Sequence, residues 1–322
     1  MSKQPQTCPS FRTTIGGQAL IEGIMMLGPD KKAVVVRRPD GELEIKEEER
    51  RLIKDKYPVL GLPLIRGVVN FGSSMVNGVK ALMWSAEFST DEEEPEEPSK
   101  LDLWLDKHLG SEKAASVVVT LAVLLGIVFS VGLFFLLPTF IAGFFDRFLT
   151  SALVHNLIEG VIRIIIFVGY LYLCSRMKDM KRVFSYHGAE HKTIFCYEAG
   201  LPLTVENVRI QPRHHPRCGT SFLFVVIVVS ILISSVVFTY VEWTNLWVRM
   251  ALHLLLLPVV VAISYEFNRF VGAHDNLFTR IMTAPGLWMQ NFTTFEPDDS
   301  MIEVGIEAVK LVIPEQAGKD KW

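Results

Sequence analysis

The chain has 322 residues, half of them hydrophobic, and a formal net charge of -3. This balance argues against a nucleic-acid-binding protein, because such domains are typically basic. The mean hydropathy of +0.31 comes from apolar residues gathered in long runs, which predicts a membrane protein. The four cysteines are scattered without a C-x-x-C pair, so we expect reduced thiols facing the cytosol rather than a disulfide framework.

The first part of the chain carries turn signals between short apolar segments. Glycines punctuate residues 16–29, which predicts a loop, a strand and a second loop. A phosphate-binding loop is the weaker alternative there, because no G-x-x-x-x-G-K follows. Further on, a Pro-Asp-Gly sequence at 39–41 separates residues 33–38 from residues 42–46 and predicts a β-hairpin.

Apolar residues recur at helical spacing between positions 63 and 88. The spacing predicts an amphipathic helix, which either lies on the membrane or packs as an ordinary core helix of a soluble portion. The acidic, proline-bearing segment 91–98 predicts a disordered linker.

Four apolar segments are long enough to cross a bilayer: residues 115–137, 152–174, 221–240 and 246–267. The loop between the second and third spans holds eight basic residues, whereas the other two loops hold only Arg147. The positive-inside rule therefore predicts a multi-pass protein of the cytoplasmic (inner) membrane with this loop and both termini in the cytoplasm. The lipid bilayer is then its first partner.

These observations predict a mainly α polytopic membrane protein with four transmembrane helices and a small cytoplasmic α+β portion. An acidic cap at 297–300 predicts a further amphipathic helix in the C-terminal tail. In chain order the predicted segments are an N-terminal cytoplasmic segment with hairpin and amphipathic helix (1–88), an acidic linker with a pre-membrane segment (89–114), the first two spans (115–175), a cytoplasmic motif loop (176–220), the last two spans (221–268) and a cytoplasmic tail (269–322).

The motif loop contains an H-x-x-E-H sequence. His187 and His191 are four residues apart, which places both imidazoles on one face of a helix, with Glu190 beside them. This is the inverted zincin order, in which two histidines hold a metal and the carboxylate can take a proton from water. Ser185 is a plausible N-cap and Gly200 a stop, so we expect a helix over 186–199 with His187 in its first turn.

A second group of ligand-type residues follows about two dozen residues later. Metal binding by the histidine pair needs further ligands, and the candidates are His214, His215, Cys218 and Glu198. If both His215 and Cys218 bind, the site is closed and structural; if one binds, a position stays open and Glu190 has a catalytic role. The simpler alternative is that these histidines bond loop carbonyls, or bind anionic headgroups beside the neighbouring arginines.

A third constellation lies within the predicted spans. Its members are spaced by four residues on span two and again on span four, and they are His155, Glu159, Arg163, Arg249 and His253. Ionisable groups at membrane depth are costly and usually face a partner or a cavity. The favoured interpretation is a buried network of salt bridges that locks the helices, and the alternative is a proton or ion path.

The chain contains four distinctive sequence motifs. In chain order they are GGQALIEGIMMLGP (16–29), YHGAEHKTIFCYEAG (186–200), HPRCGTSFLF (215–224) and PGLWMQNFTTFEPDDSMIEV (285–304). The chain thereby resembles the bacterial YqhQ-type family, membrane proteins with a domain of unknown function that are labelled predicted metal-dependent enzymes. Carried over by position, the resemblance implies metal-site residues at His187, Glu190, His191, His215 and Cys218.

We therefore expect a membrane-embedded, zinc-dependent hydrolase acting at the cytoplasmic face, with Glu190 activating water. Zinc, or another divalent metal, is favoured because the candidate ligands are imidazole and thiolate. The alternative is a non-catalytic scaffold or assembly factor for other membrane proteins, with a structural metal or none. A transporter using the intramembrane network is a third hypothesis, and nucleic acid is not an expected partner.

Overall fold

The structure, a computed structural model, describes residues 11–50, 53–88, 111–148, 151–241, 245–274 and 276–321. The predicted acidic linker at 91–98 lies outside these residues. Within them the protein is mainly helical and contains a small antiparallel sheet.

The strands and helices follow one another along the chain in this order. The strands are β1 (Gly16–Leu20), β2 (Gly23–Leu27), β3 (Lys31–Arg37) and β4 (Leu43–Glu49). The helices are α1 (Ile53–Lys56), α2 (Ile65–Phe88), α3 (Ser111–Val131), α4 (Leu137–Gly143), α5 (Ala152–Cys174), α6 (Lys178–Glu198), α7 (Val205–Arg209), α8 (Gly219–Tyr240), α9 (Leu246–Ala273), α10 (Leu277–Thr293) and α11 (Asp299–Val312).

The four strands form a meander in the order β1-β2-β3-β4. The predicted hairpin is confirmed: Arg37 pairs with Leu43 across the turn, and Gly41 adopts a φ of 92°, which glycine reaches without strain. The prediction for residues 16–29 was wrong in one respect. This segment is a second hairpin of two strands, because a two-residue turn at Ile21 and Glu22 reverses the chain.

Side chains alternate between the two faces of the sheet along each strand, and helices cover both faces. One face, carrying Ile24, Met26 and Val35, packs against α6 and α11. The other face, carrying Met25 and Val34, packs against α2. The first of these contacts matters for function, since it holds the helix that bears the histidine motif against the sheet.

Helix α11 starts as its sequence predicts. The Asp298 carboxylate caps it by accepting a hydrogen bond from the Met301 backbone N–H at 3.0 Å. Its apolar face, which includes Val304 and Ala308, is fully buried on α6 and the sheet.

Helix α2 buries small residues and exposes large ones. Gly67 and Gly78 face its neighbours, whereas Met75, Val76 and Met83 are exposed along the opposite side. Trp84 and Phe88 near the end of the helix pack against the sheet, so the membrane-surface location of its exposed apolar side chains stays a prediction.

Four helices are long and apolar enough to cross a membrane, and they cover Val117–Gly143, Leu153–Cys174, Gly219–Phe238 and Leu246–Ala273. The first extends beyond 115–137, in line with the apolar residues that continue past Pro138 to Phe145: the chain passes through a π-helical turn at Gly132–Leu136 into α4. Pro138 explains this turn, since proline lacks the N–H that would continue the α-helical hydrogen-bond ladder.

The described residues group into two compact units. The first takes its residues from Met1–Ser89, Val168–Val229 and Pro258–Trp322, and the second from Thr90–Phe167 and Ser230–Leu257. The sheet, the histidine motif and both amphipathic helices belong to the first unit. The second unit contains charged residues of the apolar helices α5 and α9. The linear segmentation of the chain stays a prediction.

Gly188 tests the packing of α6. A Cβ atom at this position would lie 2.0 Å from the backbone oxygen of Phe295, whereas one at Gly72 on α2 would meet nothing within 4 Å. We expect Gly188→Ala to lower stability by about 1–3 kcal/mol through overpacking. The matched Gly72→Ala should be neutral or raise it by up to about 1 kcal/mol through helix propensity. Thermal unfolding in detergent measures both, and equal stability of the two variants would contradict the close approach.

Candidate metal centre

The H-x-x-E-H motif lies in the middle of helix α6. It begins at Lys178, so the predicted start at 186 with Ser185 as N-cap was wrong, as was the placing of His187 in the first turn. The Ser185 hydroxyl is instead accommodated within the helix, where it donates to the Lys181 carbonyl at 3.1 Å. The end of the helix is as expected, with Gly200 at a φ of 69° just beyond it.

Three predicted ligands come together. His187, His191 and Cys218 each offer one ligand atom, and these atoms lie within 4.8 Å of one another. His187 Nε2 is 3.2 Å from Cys218 Sγ, and the centroids of the two imidazole rings are 4.3 Å apart. The one-turn spacing of the histidines and the position of Cys218 just before α8 produce this convergence.

Backbone carbonyl groups orient both imidazoles. His187 Nδ1 lies 2.7 Å from the Thr293 oxygen, and His191 Nδ1 lies 2.6 Å from the Arg213 oxygen. A carbonyl oxygen only accepts, so each Nδ1 carries the proton and each Nε2 carries the lone pair. This is the arrangement found in metal-binding histidines, whose second nitrogen is normally held by a carbonyl or a carboxylate.

The protonation states of His191 and Cys218 also favour the binding of a metal ion. Burial lowers the pKa of His191 to about 4, which keeps its imidazole neutral. Burial alone would raise the pKa of Cys218, but its contact with His191 and the hydrogen bonds from Thr220 lower it below the ordinary value of a thiol. His191 Nε2 is buried without a hydrogen-bond partner among the described residues. A metal ion would satisfy this nitrogen, so the donor set fits zinc.

Glu190 lies beside this group. Its Oε1 accepts a hydrogen bond from the Gly17 N–H at 3.0 Å, and its Oε2 is 3.8 Å from His187 Nε2. Burial raises the pKa of this carboxyl to about 7, against the opposing influence of His187. The carboxyl is thus held in place by strand β1 and exchanges protons near neutral pH.

A cavity of about 250 Å³ opens on these side chains. Its wall includes all three ligand-type residues and Glu190, together with the backbone of β1 and two arginines, Arg50 and Arg217. The cavity therefore lies directly beside both the ligand group and the carboxyl group.

His214 and His215 are not part of the three-residue group. His215 belongs to a neighbouring ion-pair cluster, in which its Nε2 lies 3.8 Å from Glu198 Oε2 and Arg217 donates to the same carboxylate. His214 lines a different cavity. Glu198 also accepts from the Thr13 backbone N–H at 2.8 Å, so this alternative ligand is already engaged.

Gln290, on α10, is a positioning residue that the sequence analysis missed. Its fully buried amide accepts from the His215 N–H at 2.8 Å and donates to the His215 oxygen at 2.8 Å and to Ser221 Oγ at 3.1 Å. Through these bonds α10 fixes the loop that carries Cys218. The capping sequence Asn276-x-x-Thr279 could have located α10, but Pro285 and Gly286 within it are usually helix breakers.

Comparisons with known proteins show which family the chain belongs to. Residues 62–315 match the family described as "Protein of unknown function (DUF1385)". The chain belongs to the DUF1385 family. It is also 35% identical over 297 residues to the "Uncharacterized protein YqhQ" of Bacillus subtilis (strain 168), an alignment that covers 91% of this chain and 90% of that protein. No solved structure matches. The YqhQ-type resemblance is thereby confirmed, and the matched residues include the whole three-residue group and Glu190.

In this DUF1385 member charged residues of the apolar helices meet in the second unit. The Glu159 carboxylate accepts hydrogen bonds from Arg163 Nη2 at 2.7 Å and Arg249 Nε at 2.8 Å, and His253 Nε2 lies 2.8 Å from it. Thr139 on α4 adds a fourth contact at 2.9 Å. The carboxylate thus joins helices α4, α5 and α9.

Both guanidinium groups of this network form further hydrogen bonds. Arg163 donates to Ser230 Oγ on α8 at 2.8 Å, and Arg249 also donates to the Asn156 amide oxygen. His155, one turn before Glu159, is fully buried. Because the network spans four helices and engages both carboxylate oxygens, it favours the structural interpretation over an ion path.

Glu159 provides a test of that interpretation. Glu159→Ala leaves two buried guanidinium groups without their carboxylate, which typically costs about 3–5 kcal/mol in soluble proteins and less in a membrane. We expect a clearly lower thermal stability in detergent for Glu159→Ala and a smaller loss for Glu159→Gln, which still accepts hydrogen bonds. Wild-type stability in both variants, together with loss of the cellular phenotype, would instead indicate a transport path.

Proposed function

We propose that the protein is a zinc-dependent hydrolase of the cytoplasmic membrane, with its site at the cytoplasmic face. His187, His191 and Cys218 would hold the ion, since two imidazoles and a thiolate match the preference of zinc. The ion supplies Lewis acidity, which polarises a carbonyl or phosphoryl oxygen. Three ligands rather than four are typical of catalytic zinc sites, whereas structural sites are usually closed by a fourth protein ligand.

The observation that carries the proposal is the position of Glu190 on the wall of the same cavity as the three ligands. A structural metal needs no proton acceptor there. Glu190 Oε2 would take the proton of the attacking water and return it to the leaving group. The Gly17 N–H, bonded to Oε1, fixes the orientation of the carboxylate during both transfers. The Thr293 and Arg213 carbonyls hold the imidazoles in place.

The proposed location follows from the chain itself. Cys218 immediately precedes Gly219, the first residue of the third apolar helix, so the site lies where that helix would leave the bilayer. The basic loop that carries the motif would face the cytoplasm under the positive-inside rule. A substrate in or beside the inner leaflet would then reach the cavity directly.

Glu190→Gln separates catalysis from metal binding. The substitution keeps the size of the side chain and removes the base, which typically contributes about 10²–10⁴-fold to rate. We expect Glu190→Gln to retain zinc and thermal stability but to fail in complementing a deletion strain, while His191→Ala loses zinc as well. Metal per chain by elemental analysis and complementation are the paired measurements, with the exposed Glu206→Gln as a matched control.

Each other outcome of this test has a definite meaning. Full complementation by Glu190→Gln would refute the hydrolase and leave a scaffold with a structural metal. Loss of zinc in Glu190→Gln would make Glu190 a ligand rather than a base. An equal zinc content in wild type and His191→Ala would remove the metal itself from the proposal.

The topology has its own test. Val241, at the end of α8, is exposed, and so is Lys310 on α11. In intact cells we expect a membrane-impermeant maleimide to label Val241→Cys and not Lys310→Cys, and both after lysis. The unsubstituted chain gives the background from its own cysteines. Labelling of Lys310→Cys alone before lysis would invert the proposed orientation.

A further inference from the structure

A second cavity, of about 290 Å³, lies beside the metal centre but contains none of its three ligands. Its wall is formed by the end of α9, the first turns of α10, the second half of α6 and the loop before α8. Arg217 lines both cavities. The second cavity is therefore a separate space that shares one wall with the first.

The wall of this second cavity is basic. Among the described residues, three arginines, Arg12, Arg217 and Arg280, and one acidic residue, Glu198, line it. The described lining therefore holds more cationic than anionic side chains; within it Glu198 pairs with Arg217, and Arg12 donates to the Gly272 carbonyl at 3.2 Å. Arginine is the side chain best suited to bind phosphate, since its planar fork donates two parallel hydrogen bonds.

Histidines add donors to the same wall. His214 Nε2 is buried and has no hydrogen-bond partner among the described residues, and the exposed His274, just beyond the end of α9, also lines the cavity. A buried ring nitrogen without a partner is costly, so a ligand that bonds His214 would remove this cost. The arginine and histidine side chains of the cavity therefore suit an anion with several acceptor oxygens.

The surroundings of the cavity are those of a membrane border. The lining residues Val271 and Gly272 end the fourth apolar helix, which covers Leu246–Ala273. Helix α10 then turns Thr279 and Thr283 toward the cavity, while Phe278 and Ile281 are exposed on its other side. A helix with one apolar exposed face and one polar face is typical of the bilayer interface, the level at which lipid phosphates lie.

We propose that this cavity binds a phosphate group, and that the phosphate belongs to the headgroup of an anionic phospholipid. Arg12 and Arg280 are the principal donors, and Arg217 closes the wall toward the metal centre. Basic pockets between helices on the cytoplasmic side are the usual sites for such headgroups. The proposal needs no metal and does not depend on the hydrolase activity.

The test uses the full-length protein in detergent with three probes: phosphatidylglycerol, phosphatidylcholine and inorganic phosphate. Native mass spectrometry counts bound lipid, and thermal unfolding follows stabilisation by each probe. We expect phosphatidylglycerol to bind and stabilise, phosphatidylcholine to do neither, and inorganic phosphate to compete at high concentration. Arg280→Gln should weaken phosphatidylglycerol binding about tenfold, the effect of one charged hydrogen bond, and Arg280→Lys by less.

Arg176→Gln is the matched control, because Arg176 also follows the end of an apolar helix but does not line the cavity. Weaker phosphatidylglycerol binding in Arg280→Gln but not in Arg176→Gln supports the cavity as the binding site. Arg280→Lys keeps the positive charge, so binding retained by this variant shows that a substitution at this position does not by itself unfold the protein. If inorganic phosphate alone binds and Arg280→Gln abolishes it, the cavity is supported but its source is a soluble phosphate ester. If neither probe distinguishes Arg280→Gln from Arg176→Gln, the proposal is overturned.

Discussion

Two hydrogen bonds from imidazole to backbone determine what the centre of this protein can bind. The Thr293 carbonyl belongs to the last residue of α10, where helical carbonyl groups lack partners within their own helix. His187 satisfies that carbonyl and in return has its tautomer fixed. Arg213 does the same for His191 from the loop before α8. The lone pairs on both Nε2 atoms, and hence the donor set, depend on α10 and this loop being in place.

The sequence is informative wherever a local pattern has one solution. The spacing of His187 and His191, the Pro-Asp-Gly hairpin and the apolar runs of the spans each specify their structure without the rest of the chain. The selection among His214, His215 and Cys218 does not follow from spacing, because it depends on the loop conformation imposed by Gln290, some seventy residues later. Helix α10 was missed for a related reason: Pro285 and Gly286 break helices locally, yet Gly286 is required for the contact with Ser221.

The two units handle buried charge in different ways. In the second unit, Glu159 is surrounded by cationic and hydroxyl donors on several helices, so it serves as a cross-link between them. In the first unit, Glu190 has a single hydrogen-bond donor among the described residues, the Gly17 N–H, and faces a cavity. A carboxylate with many partners holds helices together, whereas one with few partners beside a cavity is available for proton transfer.

The wall between the two cavities connects distant parts of the chain. Thr13 donates its backbone N–H to Glu198, and its hydroxyl bonds Asp320, a partner 307 positions away that also accepts from Tyr197. A ribosome must therefore complete more than three hundred residues before this wall can close. The four apolar helices are synthesised before that point, so they exist before this wall can form. A chain that stopped short of Asp320 would therefore keep every apolar helix and still lose one partner of this wall.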